Sequence, residues 1–187
     1  MKGVVQMKLK FIHKLISRIR GQYPIEDLLS RGLTVGSNFT LQQGCIIDES
    51  FCWLISIGDR VSLAPNVHIL AHDASTKNYL GYAKIGEVII GNDVFVGAGT
   101  IILPQVHIGN RVIIGAGSVV TKNIADNCVV CGNPARVIST VDDYIEKNKI
   151  LFSNRPHYNA TWTLNHITTE QKQIMKQDLK DGIGYIE

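Results

Sequence analysis

Aromatic residues are scarce in this 187-residue chain, at 7%, and charged residues are few, at 19%. Lys and Arg together number 19 against 16 for Asp and Glu, so the net charge is only +3, which is too small to indicate nucleic-acid binding. No apolar run approaches the ~18 residues of a transmembrane helix, so we expect no such segment. Four cysteines are too few for a secreted disulfide scaffold, which favours a reducing, cytoplasmic location.

Aliphatic residues and glycine are abundant, and the glycines are concentrated in the middle of the chain. Hydrophobic residues make up 45% of the total, which is enough for a sizeable core and too many for a disordered chain. Residues 35–138 hold 12 of the 17 glycines but only 13 charged residues. The first 20 residues hold six basic residues and no acidic one.

Residues 5–19 are predicted to form an amphipathic helix, because their apolar residues recur at helical spacing. Basic residues interrupt every apolar run and no small-residue cleavage site follows, which disfavours a signal peptide. This helix would pack on the main body or on a neighbouring subunit; alternatively, its basic face would bind a membrane surface. Near the other end, we predict a helix over residues 141–150 and a second one starting at Thr168 and stopping at Asp181–Gly182.

A period of six residues dominates the centre. Every sixth residue from position 90 is aliphatic, namely Ile90, Val96, Ile102, Ile108, Ile114 and Val120. The residues four positions later are β-branched or small, namely Val94, Thr100, Val106, Val112, Ser118 and Ile124. Six does not fit a helix of 3.6 residues per turn, but it fits short extended segments separated by bends, where Gly and Asn tolerate positive φ. Three bends close a triangle, so we predict coils of 18 residues that stack as parallel strands ~4.8 Å apart.

The same period continues upstream with two slips. Ile47 and Ile57 are ten positions apart, which predicts irregular residues at about 50–54. Ile69 and Ile90 are 21 apart, which predicts a loop that leaves the coil near Leu70 and returns near Val88. About five coils then fit between residues 35 and 134.

Six segments, in this order, closely resemble the bacterial hexapeptide-repeat acyltransferases, in the branch of maltose, galactoside and polysaccharide O-acetyltransferases. They are Ile57-Gly58-Asp59, Ala64-Pro65-Asn66-Val67, Ala71-His72-Asp73, Ile90-Gly91-Asn92 with Val96-Gly97-Ala98-Gly99, Ile114-Gly115-Ala116-Gly117 with Thr121-Lys122, and Gly132-Asn133-Pro134-Ala135-Arg136. The resemblance implies an all-β core, a left-handed parallel β-helix, to which the helices predicted above add N-terminal and C-terminal helical appendages. We therefore predict a helical segment over 1–34, an acyltransferase domain over 35–138 and a helical extension over 139–187.

The residue before each inward aliphatic residue is predicted to face outward. Phe95 would then lie beneath Ile113, Ile101 beneath Val119, and His107 beneath Ala125. Such outward apolar columns are costly unless covered. The resemblance implies a homotrimer with acetyl-CoA in the cleft between subunits, which would cover them; otherwise they are ordinary exposed strand residues.

His72 is the candidate catalytic residue, because it lies where the hexads give way to a loop, and loops on rigid scaffolds carry active residues. The resemblance implies that it is the general base for direct acetyl transfer from acetyl-CoA; a structural or substrate-binding role is the alternative. Asp48 or a main-chain carbonyl would orient the imidazole, and the resemblance implies that a main-chain N–H near Ala98 or Gly97 stabilises the oxyanion. Asp48 and Tyr82, the latter in the loop 74–86, are the candidate substrate contacts.

The acetyl-CoA contacts that the resemblance implies are Phe95, Ala98, Ala116, Thr121, Lys122 and Arg136. Ala98 and Ala116 are 18 positions apart, so they stack on one face, and small residues there would let the pantetheine arm approach the backbone. Arg136 would face the CoA phosphates.

The predicted function is O-acetylation of a sugar or polysaccharide-precursor hydroxyl. Acetyl transfer to an amine or to serine on the same scaffold is one alternative, and a non-catalytic assembly protein is another. Cys128 and Cys131 are predicted to be two small buried thiols, because one CxxC is a weak metal signal. No metal is expected, although His68, His72 and His107 leave open a zinc site like that of the γ-class carbonic anhydrases.

Overall fold

The structure, a computed structural model, describes residues 24–187, so the helix predicted over residues 5–19 lies outside the described residues. Two compact units divide the chain, one ending at Val141 and the other comprising Asp142–Glu187. The predicted domain boundaries stay predictions. Within residues 24–187, every helix is too short or too polar to cross a lipid bilayer.

Short strands, most of two or three residues, build the first unit. In chain order they are β1 (Thr34–Val35), β2 (Thr40–Leu41), β3 (Ile46–Ile47), β4 (Ile55–Ile57), β5 (Ser62–Leu63), β6 (His68–Ile69), β7 (His72–Asp73), β8 (Lys84–Ile85), β9 (Val88–Ile90), β10 (Val94–Val96), β11 (Ile101–Ile102), β12 (His107–Ile108), β13 (Val112–Ile114), β14 (Val119–Val120), β15 (Cys128–Cys131) and β16 (Arg136–Thr140). Helix α1 (Ile25–Ser30) precedes β1, and helix α2 (Lys77–Leu80) lies between β7 and β8. Single 3₁₀ turns cover Cys52–Leu54 and Ala74–Thr76.

Successive coil strands fall in turn on three parallel sheets, ordered β1-β4-β9-β12, β2-β5-β10-β13-β15 and β3-β6-β11-β14, with β16 antiparallel at the edge of the second. The chain therefore winds as a three-faced parallel coil with four complete turns and part of a fifth. Phe95 pairs with Ile113 and Ile101 pairs with Val119, each 18 positions on, which confirms both predicted stacks.

Coil length departs from 18 residues where the hexads slip. His68 pairs with Ile46, 22 positions earlier, and the additional residues include the 3₁₀ turn Cys52–Leu54. His68 also pairs with Ile101, 33 positions later, and the additional residues form the loop that carries β7, α2 and β8. The last coil is short, because Ile108 bridges Ile124 only 16 positions on. The prediction that His107 lies beneath Ala125 is therefore wrong.

The two hexad series fill the interior of the coil, as predicted. All twelve residues of the two hexad series are buried, with at most 8% of any residue exposed. Thr100 and Ser118 belong to them and satisfy their hydroxyls by donating to the carbonyl of Gly115 at 3.3 and 2.5 Å. Among residues 24–141, no aromatic ring is fully buried, because the narrow interior accommodates only small aliphatic side chains.

One corner of the coil explains the recurring Gly-Asn and Gly-Asp pairs. A side-chain oxygen of each Asp or Asn accepts a hydrogen bond from the backbone N–H of the equivalent residue one coil earlier. These donor–acceptor pairs are Ser37–Asp59, Asp59–Asn92, Asn92–Asn110 and Asn110–Asp126, at 2.7–2.9 Å. Glycine precedes the residue that donates in each pair because the coils approach so closely: a Cβ on Gly58 would lie 2.5 Å from Oδ1 of Asn92.

The second part of the chain is mostly helical. Its elements are α3 (Val141–Asn154), β17 (His157–Tyr158), a 3₁₀ turn at Ala160–Trp162, α4 (Thr169–Asp178) and β18 (Tyr185–Ile186), with β17 and β18 paired in parallel. Helix α3 begins where predicted and ends four residues later than predicted. Thr168 caps α4 by a reciprocal pair of hydrogen bonds with Gln171, as its place before the helix indicated.

Candidate active site

His72 lies on β7, at the start of the loop that leaves the third sheet. Strand β7 pairs antiparallel with β8, so His72 lies opposite Ile85. Next to it, the Asp73 carboxylate pairs with the Lys84 ammonium at 2.6 Å, and this hydrogen bond is the main cause that lowers the pKa of Asp73 to about 2. The backbone N–H of Gly86 closes the base of the loop by donating to the carbonyl of Ala71 at 3.0 Å. The imidazole is therefore held on a short hairpin.

Asp48 is the hydrogen-bond partner of the His72 ring. It follows β3, the strand that pairs with β6, and its side chain is only 1% exposed. Oδ2 accepts the backbone N–H of Ala71 at 2.9 Å and contacts Nδ1 of His72. Oδ1 accepts the N–H groups of Ser50 and Phe51 at 3.0 and 3.3 Å. Three backbone donors thus fix the carboxylate before it meets the imidazole.

This pair can perform acid–base chemistry. A carboxylate at Nδ1 requires a proton on Nδ1 and so leaves the lone pair of the neutral ring on Nε2. The His72 side chain is 37% exposed, and no group among residues 24–187 hydrogen-bonds to Nε2. Nε2 is therefore available to a substrate proton.

Two aromatic side chains that the sequence reasoning missed lie beside this pair. The Phe51 ring centroid is 5.3 Å from that of His72 and 5.5 Å from that of Trp53. Both residues belong to the additional residues between β3 and β4, which the sequence marked only as irregular. The slip in the hexads was the signal for this segment, but it does not identify side chains near His72.

The residues predicted to bind acetyl-CoA lie elsewhere on the coil. Phe95 is outward-facing on β10, and Ala98 and Ala116 are exposed in the turns before β11 and β14. Thr121 and Lys122 are exposed just after β14, at the same end of the third sheet as His72 but two strands away. The two remaining candidates, Arg136 at the start of β16 and Tyr82 in the loop, are also exposed. No hydrogen bond or ring contact within residues 24–187 joins His72 to any of them.

The backbone at Ala98 and Ala116 offers hydrogen-bond donors. The N–H of Gly97 already donates to the carbonyl of Ile114 at 2.8 Å, so it cannot serve an oxyanion. The N–H groups of Ala98 and Ala116, in contrast, meet no acceptor within the described part of the chain. A Cβ at Gly99 or at the matching residue of the next coil would meet no atom within 4 Å, so this edge is open.

The candidate metal ligands do not converge within one chain. Among residues 24–187, no group of three or more His, Cys, Asp or Glu side chains could hold a metal ion. Cys128 and Cys131 are free thiols at the two ends of β15. Both are half-buried, whereas the sequence analysis predicted buried thiols.

The similarity to known proteins extends beyond the hexapeptide repeat. Residues 87–122 match the family described as bacterial transferase hexapeptide (six repeats). Protein CapG of Staphylococcus aureus is 40% identical over 134 residues, which cover 70% of this chain and 73% of CapG. Galactoside O-acetyltransferase of Escherichia coli is 35% identical over 125 residues, 64% of this chain and 60% of that protein. The crystal structure of a maltose O-acetyltransferase from Clostridium difficile has a TM-score of 0.51 and 46% identity, covering 57% of each chain.

Proposed function

The chain belongs to the hexapeptide-repeat acetyltransferase family, and from that premise we propose that it transfers acetyl from acetyl-CoA to a hydroxyl of a saccharide. The similarity to known proteins confirms both the family and the enzyme class, acyltransferase, that the sequence motifs indicated. Acetyl-CoA is the co-substrate that membership implies. The chain spans only about three fifths of the length of the O-acetyltransferases it matches, so the acceptor is argued from the site.

The Asp48–His72 pair is the observation that carries the proposal. A protonated hydroxyl is a poor nucleophile, and a neutral imidazole can remove its proton during attack, which is typically worth ~10²–10⁴-fold. Asp48 holds the Nδ1–H tautomer and stabilises the imidazolium that forms. This role uses both carboxylate oxygens on groups of the chain itself, so we assign Asp48 to orienting His72 in preference to the substrate contact also considered.

The acetyl group then passes directly from CoA to the acceptor oxygen, with no acyl-enzyme intermediate. Nε2 of His72 takes the hydroxyl proton while the acceptor oxygen attacks the thioester carbon. The free N–H of Ala98 is our candidate donor to the resulting oxyanion. When the carbon–sulfur bond breaks, the imidazolium returns the proton to the departing CoA sulfur. No cysteine is needed as a nucleophile in this scheme.

The donor site and the assembly follow as parts of the same proposal. Ala98 and Ala116 would admit the pantetheine arm, Phe95 would pack against it, and Thr121, Lys122 and Arg136 would bind the remainder of CoA. These residues and His72 lie on different parts of the coil, which supports a site completed between subunits of a homotrimer. We propose with it the left-handed sense of winding that the family resemblance implies.

An acceptor panel tests the proposal. The wild-type protein is incubated with acetyl-CoA and saccharides, serine or simple amines; free thiol is measured and products are identified by mass spectrometry. We expect thiol release that depends on a saccharide and yields an O-acetyl ester. Turnover with amines or serine alone would reject the saccharide assignment, and no binding of acetyl-CoA by calorimetry would favour an assembly protein.

A further inference from the structure

The segment between β3 and β4 places two aromatic rings next to the candidate base. Phe51 contacts the His72 ring at an interplanar angle of 50° and the Trp53 ring at 58°. The half-buried Phe51 ring contacts both other rings and so bridges the imidazole and the indole. Trp53 lies on the surface, on the far side of Phe51 from His72.

The backbone around Trp53 is held in place by close packing, while the Trp53 side chain is exposed. Its residue is 55% exposed, although tryptophan is highly buried on average. The first residue of the 3₁₀ turn, Cys52, and the residue that follows the turn, Ile55, are fully buried and anchor it. Gly32 packs so closely that a Cβ there would lie 2.9 Å from the Cβ of Trp53. The main chain of Trp53 is thus held in place while its side chain is presented outward.

We propose that Phe51 and Trp53 form an acceptor platform on which the saccharide ring stacks, with one hydroxyl directed to His72. This inference rests on the proposed function and narrows the acceptor to ring-shaped sugars. The C–H bonds on one face of a pyranose carry small positive partial charges, which complement the negative face of an indole. Serine and small amines have no such face, so the platform discriminates against them. Phe51 also supports the imidazole from the side and is a positioning residue.

Substitution of Trp53 provides the kinetic test. In Trp53→Ala, the KM for the saccharide should rise roughly tenfold to a hundredfold, the range expected for loss of one stacking partner. The Kd for acetyl-CoA should stay unchanged, and kcat should change far less than KM. Trp53→Phe keeps an aromatic face and should recover most of the loss. Trp162→Phe is the matched control, because this second tryptophan lies in the other unit and packs on Tyr158.

Fluorescence gives an independent readout. In the Trp162→Phe protein, Trp53 is the sole tryptophan, so its emission reports the platform directly. We expect the accepted saccharide to shift or quench that emission with a midpoint near its KM, and we expect serine to have no effect. This measurement decides the matter even if Trp53→Ala folds poorly.

The outcomes separate the platform from the proposed function. Wild-type acetylation of a saccharide combined with an unchanged KM in Trp53→Ala overturns the platform and leaves the function intact. A wild-type enzyme that acetylates no saccharide overturns both. If Trp53→Ala instead dissociates the oligomer, as seen by light scattering, Trp53 is an interface residue and the platform is rejected.

Discussion

Replacing Asp48 by Asn removes one charge from the residue that orients His72 and changes little else in shape. In the structure, two N–H groups of the following turn bind Oδ1, while the Ala71 N–H and the His72 ring bind Oδ2. Asparagine has one oxygen and one NH₂ group. If its oxygen keeps the turn, its NH₂ faces two further donors, and the imidazole must give up the Nδ1–H tautomer.

The structure sets the expected magnitudes. Ala71 is fully buried, so an N–H left there without an acceptor costs about 1–3 kcal/mol of unfolding free energy. An imidazole whose Nε2 carries the proton cannot accept another, so the general-base contribution that we propose for His72 would be lost and kcat should fall by ~10²–10⁴-fold. The affinity for acetyl-CoA should not change, because the Asp48 side chain is almost inaccessible.

The assay combines thiol release for kcat, calorimetry for acetyl-CoA and urea denaturation for stability. Asp126→Asn is the matched control, because it makes the same chemical change at a corner where Asn92 and Asn110 already do the same job. That control should retain kcat. A kcat for Asp48→Asn within about threefold of wild type would refute the orienting role of Asp48.

Three further predictions concern the scaffold and the loop. Ile114→Ala opens a cavity inside the coil and should lower the unfolding free energy by about 2–5 kcal/mol in urea. Gly58→Ala forces a Cβ to within 2.5 Å of the Asn92 side chain and should cost about 1–3 kcal/mol in the same assay. In Lys84→Met, the pKa of Asp73 should rise from about 2 toward 3.8 in a carboxyl NMR titration. The stabilisation from this ion pair is therefore present in wild type above pH 3.8 and fades as the pH falls toward 2.

The coil could be predicted because one period specifies it at every step. Each sixth residue must be aliphatic to fill a narrow interior, and each bend needs a residue that tolerates positive φ. Asp93 and Arg111 adopt positive φ at such bends, although neither is Gly or Asn. Nothing in the sequence indicates that the last coil is short, because Ile124 is aliphatic and buried in either register. The sequence analysis therefore placed Ala125 wrongly.

The site could be predicted only in part. His72 was identifiable because the hexads end beside it and because its motif resembles the family's. The partner of its Nδ1 could be narrowed only to Asp48 or a main-chain carbonyl, because position 48 faces His72 only after a 22-residue coil sets the register. Phe51 and Trp53 were missed because an irregular segment has no periodicity from which side-chain direction can be deduced.

The central claim is that His72 accepts the proton of the attacking hydroxyl, and kcat of His72→Ala tests it most directly. With the best saccharide acceptor, the account predicts a fall of ~10²–10⁴-fold at unchanged acetyl-CoA affinity. His166→Ala, an exposed histidine of the other unit, should behave as wild type. An unaltered kcat for His72→Ala, or a loss explained entirely by weaker acetyl-CoA binding, would contradict the account.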